Sequence, residues 1–239
     1  MNQASRIASF LARQDFYPIL LAALIISLVV MPIMEQTHAG RLLFNVGLTF
    51  VLIVAAGAIR RDRGAFAAST VVTIVAIPLL WLTMISQSSA LYLASHLVGI
   101  ALIALAAMLI LNNVIRRHLA TMHAILGTIC VYLLLGQGWA LAYSVLDHVQ
   151  DEPFAFAHQR TVEVFGDERD PTSYSQLVYF SFVTMTTLGY GDVSPRSAEA
   201  ETLTWLQAVA GQFYIAILVA RFVNAVPQIP AGSRESSGS

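Results

Sequence analysis

Residues 184–192 read Thr184-Met185-Thr186-Thr187-Leu188-Gly189-Tyr190-Gly191-Asp192, with glycines on either side of a tyrosine. Consecutive backbone carbonyls can form a cage of oxygen atoms around a dehydrated cation if they all turn toward one axis. Such a ribbon needs positive φ at some positions, which glycine tolerates and other residues resist. Gly189 and Gly191 meet this demand on either side of Tyr190, and Thr187 can add a hydroxyl oxygen. We therefore predict a cation site made of backbone oxygens, against the alternative of a glycine turn in an ordinary loop.

The composition is that of an integral membrane protein. The chain has 239 residues, of which 57% are hydrophobic and 11% charged, and its mean hydropathy is +0.69. Soluble domains carry about 25% charged residues. The net charge of −1 indicates no nucleic-acid partner. Cys130 is the single cysteine, so no disulfide can form within one chain.

Apolar segments divide the chain into an N-terminal bundle and a C-terminal pore domain. Six segments each have about the 20 residues that a helix needs to cross a bilayer: 16–34, 42–59, 66–85, 91–111, 124–146 and 200–226. The first four predict a four-helix bundle over 16–111, and the last two bound a pore domain over 124–226. We expect a helix lying on the cytoplasmic membrane surface at 1–15, a cytoplasmic linker helix at 112–123 and a disordered tail at 227–239.

The distribution of arginine predicts the orientation in the membrane. With both termini in the cytoplasm, the inner parts hold nine arginines and the outer parts four, which follows the positive-inside rule. The inner ones are Arg6, Arg13, Arg60, Arg61, Arg63, Arg116, Arg117, Arg221 and Arg234, and the outer ones Arg41, Arg160, Arg169 and Arg196. We expect a multi-pass protein of the cell membrane.

The quoted stretch, with the aromatic run 179–183 before it, resembles the selectivity filter of tetrameric potassium channels of the bacterial type with a single pore loop. The resemblance covers about 124–226 and implies an all-α fold with a re-entrant pore helix at 173–186. It implies that five residues supply the oxygens for potassium: Thr187, Leu188, Gly189, Tyr190 and Gly191. It also implies support of the filter by Thr186 and by a hydrogen bond from the pore helix to Asp192. Family members often have tryptophan at the position of Tyr179, whose hydroxyl could serve instead.

The same resemblance implies a gate and an outer mouth. In relatives, a glycine at the spacing of Gly211 is a hinge of the pore-lining helix, although close helix packing explains it equally well. Ile215, Val219 and Val223 recur every four residues and would form an apolar gate, the alternative being core packing. Relatives that bind external tetraethylammonium tightly carry an aromatic residue at the position of Ser194.

One pore loop supplies one quarter of a cage, so the sequence predicts a homotetramer that conducts potassium passively. Its expected partners are K⁺, membrane lipid and other copies of the chain, with no cofactor. A subunit of a coupled potassium transporter and a weakly selective cation channel remain alternatives, although a transporter would carry several pore loops in one chain. We predict no enzymatic activity, because no polar catalytic groups converge within the apolar segments.

The fourth apolar segment predicts that voltage does not gate the channel in the conventional way. Voltage sensors of the related six-helix channels carry arginine at every third residue of this helix. Residues 91–111 contain no charged side chain, and His96 is the one side chain among them whose ordinary pKa lies near neutral pH. A histidine hydrogen-bonded between helices is the preferred interpretation of His96.

Overall fold

The computed structural model describes residues 17–34, 88–116, 122–157 and 174–225, together with residue 49 and part of the stretch 70–82. In chain order the elements are helix α1 (Tyr17–Met34), α2 (Ser89–Arg116), α3 (Met122–Val149), strand β1 (Phe154–Phe156), helix α4 (Tyr174–Met185), strand β2 (Val193–Pro195) and helix α5 (Ala198–Ala225).

The predicted class, an all-α membrane protein, is confirmed. Within the described residues, α2, α3 and α5 are long and apolar enough to cross a membrane, and α1 contributes a shorter apolar span. Helices suit such a sequence because they satisfy every backbone hydrogen bond within the segment, where no water is present to do so.

Helix α3 is the centre of the described structure and packs against α1, α2, α4 and α5. Its apolar core includes Leu134 of α3, Leu24 of α1 and Ile110 of α2, all almost fully buried. Glycines allow the close approach on two sides. A Cβ at Gly127 would lie 2.9 Å from Val114 of α2. A Cβ at Gly138 would likewise meet Ile103 of α2, and one at Gly136 would meet Phe182 of α4.

The helices extend beyond several of the predicted segment boundaries. Helix α2 continues from the fourth segment to Arg116, so residues 112–116 of the predicted linker helix belong to α2, and α3 already begins at Met122. Polar side chains end an apolar segment but do not end a helix, which needs a breaker or a cap. The predicted elements at 1–15 and 42–59, most of 66–85 and the tail at 227–239 lie outside the described residues.

A small antiparallel ladder joins the chain after α3 to the chain before α5, and the sequence did not predict it. Strand β1 pairs with β2 so that Phe154 faces Pro195, Ala155 faces Ser194 and Phe156 faces Val193. Three-residue strands carry too little alternation to be seen in a sequence. The buried ring of Phe154 packs on Tyr143 and Phe180, with ring centroids 5.4 and 5.5 Å away, and so holds the ladder on the helices.

Helix α5 is the least covered of the long helices. Only 11% of the residues in its apolar span are buried, against 56% in α3. Large apolar side chains such as Trp205, Phe213 and Ile217 are more than half exposed. One chain therefore leaves most of this helix to be covered by lipid or by another protein surface.

Candidate functional site

The stretch 187–191, here called the ribbon, begins in the hydrogen-bonded turn that ends α4. Leu188 donates its N–H to the carbonyl of Val183 at 2.9 Å, and Thr187 donates to the carbonyl of Thr184 at 3.0 Å. This is the Schellman pattern, which requires a left-handed backbone one residue past the helix cap. Thr187 takes that conformation with φ of 58°. The ribbon is thus fixed to α4 at its first two residues.

Backbone φ alternates in sign along the ribbon. Thr187, Gly189 and Gly191 have φ of 58°, 55° and 78°, whereas Leu188 and Tyr190 have ordinary negative values. The predicted left-handed conformation of the two glycines is confirmed. Thr187 has the same conformation, which was not predicted from the sequence. Nothing lies within 4 Å of a Cβ built at either glycine. Glycine is therefore required here by the backbone conformation and not by a lack of space.

The carbonyl groups of the ribbon are free to bind a ligand. In the described part of the chain, none of the carbonyl oxygens of 187–191 accepts a hydrogen bond, and all five residues are exposed. Backbone carbonyls otherwise pair with donors or with water. A run of unpaired oxygens on a conformationally defined backbone is chemically suited to replace the hydration shell of a cation that prefers neutral oxygen ligands.

Among the residues predicted to support the ribbon, Tyr179 and Asp192 are hydrogen-bonded to each other, and Thr186 is hydrogen-bonded to α4. Tyr179 donates its hydroxyl to Oδ2 of Asp192 at 2.7 Å, so tyrosine serves in this chain where relatives often have tryptophan. This bond raises the pKa of Tyr179 to about 12, because it stabilises the protonated phenol. Thr186 donates its hydroxyl to the carbonyl of Phe182 at 2.7 Å, and this carbonyl also accepts the N–H of Thr186 at 3.0 Å.

The β1–β2 ladder fixes the C-terminal end of the ribbon. Ala157 donates its N–H to the carbonyl of Asp192 at 2.8 Å, which extends the ladder to the residue directly after the ribbon. An exposed ion pair between Arg196 and Glu152, 2.9 Å apart, lies at the other end of the ladder. Ser194, the predicted outer-mouth residue, is half-buried in β2 opposite Ala155.

Comparison with known families agrees with this geometry. Residues 119–228, which contain α3, α4, the ribbon and α5, match the family model described as ion channel. This part of the chain is similar to ion channels. The match points to transport rather than catalysis. Comparisons with curated proteins and with solved structures gave no significant match. Residues 119–228 are called the ion channel region below.

Within the ion channel region, Gly211 is a point of close packing between α4 and α5. A Cβ built at Gly211 would lie 2.6 Å from Cγ of Met185 and 2.8 Å from its carbonyl oxygen. Close packing, one of the two interpretations of this glycine, is therefore observed. Helix α5 is continuous through Gly211. The hinge stays a prediction.

The predicted gate residues of the ion channel region share one face of α5. Ile215, Val219 and Val223 are 39%, 54% and 67% exposed, so the alternative that they pack in the core of a single chain is not what the structure shows. Their exposure leaves them available to line a passage. The gate itself stays a prediction.

A buried polar cluster in the ion channel region was missed from the sequence. Gln207 of α5, Ser181 of α4 and Tyr143 of α3 are all fully buried, and Gln207 is hydrogen-bonded to both of the others. The signal that points to it is Gln207, an uncharged polar side chain in an apolar helix, because a buried amide must find partners. The sequence does not say where those partners lie, since they belong to two other helices.

Proposed function

We propose that the chain is the subunit of a potassium-selective channel that conducts passively through a homotetrameric pore in the cell membrane, with both termini cytoplasmic. The observation that carries the proposal is the ribbon, with φ alternating in sign over 187–191 and five carbonyl oxygens that accept no hydrogen bond within the described residues. Alternating backbone conformations turn successive peptide groups to the same side, which is what a stack of oxygen rings requires. Tyrosine between the two glycines favours potassium over sodium by resemblance to the family filter.

The need for several copies follows from geometry and exposure. One ribbon supplies oxygens on one side of an ion, and a monovalent cation that has lost its water needs them all round. The ribbon also exposes apolar side chains, Leu188 at 55% and Tyr190 at 67%. Together with the uncovered surface of α5, these side chains favour assembly of copies around an axis next to the ribbon.

Conduction without conventional voltage gating is part of the proposal. Helix α2 contains no charged side chain before Arg116, at its last residue. Steep voltage dependence requires several charges that move through the membrane field, and the described length of α2 supplies none within its span.

Reconstitution of the purified protein into liposomes tests the proposal. We expect potassium flux well above sodium flux, and a reversal potential under bi-ionic conditions that reports a strong preference for potassium. The flux should not change when a proton or sodium gradient is imposed or collapsed, which separates a channel from a coupled transporter. Equal permeability to the two cations, or a flux that requires a second gradient, would contradict it.

The oligomeric state is measured on the same preparation. The mass of the detergent-solubilised protein, corrected for bound detergent, should correspond to four copies of the 26.0 kDa chain. A monomer that still conducts potassium selectively would rule out the tetrameric pore.

A further inference from the structure

The buried polar cluster joins the three helices of the ion channel region through one amide. Gln207 donates from Nε2 to the carbonyl oxygen of Ser181 at 3.0 Å and to its Oγ at 2.6 Å. The Oε1 of Gln207 accepts the hydroxyl proton of Tyr143. Ser181 in turn donates its hydroxyl to the carbonyl of Gly136 on α3 at 2.6 Å. Both N–H groups of the amide and its oxygen are thus in use.

The contacts between α4 and α5 repeat at the next helical turn. Ser181 meets Gln207, and Met185, four residues after Ser181, meets Gly211, four residues after Gln207. Two contacts one turn apart on both helices fix how far α4 lies along α5 and how it is rotated. Of the two, the polar contact is directional, whereas the apolar one defines only a distance.

A polar side chain in this position has a specific physical effect. Interhelical hydrogen bonds in membranes add little stability on average, because the separated helices also find partners. Apolar side chains would fill the same space and would tolerate sliding or rotation of one helix on the other. A hydrogen-bonded polar residue in an apolar contact selects one register, as a buried asparagine does in coiled coils.

Any shift of α4 is transmitted directly to the ribbon. The N–H groups of Thr187 and Leu188 are bonded to the carbonyls of Thr184 and Val183, in the last turn of α4 and two to three residues after Ser181. The other end of the ribbon is held at Asp192 by two anchors, the hydroxyl of Tyr179 on α4 and the N–H of Ala157, which extends the β1–β2 ladder. A shift or rotation of α4 relative to the ladder therefore strains the ribbon, because the ribbon is bonded to both.

We propose that Gln207, with Ser181 and Tyr143, is a positioning residue that sets the register of α4 against α5 and thereby holds the ribbon in its ion-selective conformation. This inference rests on the proposed function for its link to selectivity. Gln207 is buried outside the ribbon and would act on selectivity without touching the ion.

Two variants and a matched control test the inference in the full-length protein. Gln207→Leu removes the amide and puts an apolar side chain of similar size in its place. Tyr143→Phe removes one hydrogen bond of the cluster and is the milder change, for use if Gln207→Leu assembles poorly. Ser144→Ala is the control, because Ser144 makes a bond of the same kind, 2.6 Å to the hydroxyl of Tyr92 on α2, one residue away from Tyr143.

Two measurements are made on each variant. The first is the potassium-to-sodium permeability ratio from bi-ionic reversal potentials, which does not depend on how many channels fold. The second is amide hydrogen exchange of the segment 181–191 in detergent, which needs no ion flux. For Gln207→Leu we expect the ratio to fall about tenfold and exchange to accelerate about tenfold, and for Tyr143→Phe about threefold in both. Ser144→Ala should change neither.

The outcomes separate this inference from the proposed function. If the unmodified protein is not potassium-selective but Gln207→Leu still accelerates exchange over 181–191, the positioning role stands and the proposed function fails. Unchanged exchange in both cluster variants overturns the positioning role. An unchanged permeability ratio in a selective channel, or an equal effect of Ser144→Ala, overturns it as well.

Discussion

At the scale of single residues, the ribbon combines two different reasons for a left-handed backbone. Gly189 and Gly191 are the residues expected to take positive φ, and the sequence predicted them from residue type alone. Thr187 takes it at φ of 58° because it follows the cap of α4, a role usually given to glycine. The length of α4 determines that role, and helix ends are poorly defined by sequence. The conformation of Thr187 was therefore not predictable from its type.

Replacement of Gly189 by alanine should abolish potassium flux while the tetramer remains assembled. The positive φ costs an L-residue roughly 1–2 kcal/mol at each position, and four copies would share one pore. Nothing in the same chain lies within 4 Å of a Cβ at this site, so the expected loss comes from the backbone conformation and not from a clash within one chain. Liposome flux and the mass of the solubilised protein measure the two effects.

Gly99→Ala is the control for that experiment. Gly99 lies in α2, where a Cβ would meet only a methyl group of Leu141 at 3.1 Å, and this flexible side chain can yield. Alanine also favours the helix. Normal flux is expected. Retained selective flux in Gly189→Ala would mean that the ribbon is not the ion site.

At the scale of elements, hydropathy predicted the helices from the sequence. The contacts between residues far apart in the chain were not predicted. The short helix expected at 173–186 is α4 at Tyr174–Met185, because a polar start and a glycine-bearing end bound it. The β1–β2 ladder and the Gln207 cluster both join residues that are far apart in the chain. Neither three-residue strands nor a lone glutamine identifies its partner.

The packing of α5 on α4 predicts that Gly211→Ala destabilises the assembled protein. The added methyl would lie 2.8 Å from the carbonyl oxygen of Met185, which is backbone and cannot rotate away. Overpacking of this kind typically costs 1–3 kcal/mol. We expect a lower melting temperature of the detergent-solubilised protein. Normal stability with altered opening would instead support the hinge.

The uncharged α2 predicts that voltage controls opening only weakly. Moving one elementary charge through the membrane is worth about 2.3 kcal/mol per 100 mV, so steep gating needs several charges in each subunit. Planar-bilayer recordings over a wide voltage range should give a shallow conductance–voltage relation. A relation as steep as that of arginine-bearing channels would refute this prediction, and a weak dependence that arises in the ribbon would not.

At the scale of the whole molecule, the fold class, an all-α membrane protein, was predictable from the sequence. How the helices pack and how copies would assemble were not predictable in the same way. Low charge and long apolar segments require membrane-spanning helices whatever their arrangement. The central position of α3 depends on glycines that let neighbouring helices pack closely against it. Gly127 and Gly136 do so against α2 and α4, yet neither can be distinguished in sequence from Gly99. The exposed surface of α5 becomes visible only when the other helices are in place.

External block by tetraethylammonium tests the arrangement of the tetramer at its outer mouth. Four aromatic faces around a mouth would attract a quaternary ammonium by cation–π contacts of roughly 0.5–2 kcal/mol each. Ser194 offers no such face, so we expect weak block of the unmodified protein. Ser194→Tyr should lower the blocking concentration by about tenfold or more. Dose–response curves from the outer side give both values.

Ser194→Leu separates cation–π attraction from added apolar surface. Leucine brings bulk without a π face, and it also occupies the same half-buried position opposite Ala155 in β2. Block of this variant should stay close to that of the unmodified protein. Tight block without any substitution, or no gain with tyrosine, would show that Ser194 does not face the mouth.

The uncovered α5 has a consequence for how the protein is made. A newly inserted copy would enter the bilayer with this helix bathed in lipid tails, since its own chain buries only 11% of the span. If four copies form the proposed pore, they meet by lateral diffusion and displace that lipid, so the yield of assembled pores should rise steeply with the density of chains in the membrane. Synthesis of several copies at one place would shorten the search. A sparsely populated membrane would instead contain chains that are individually inserted and inert.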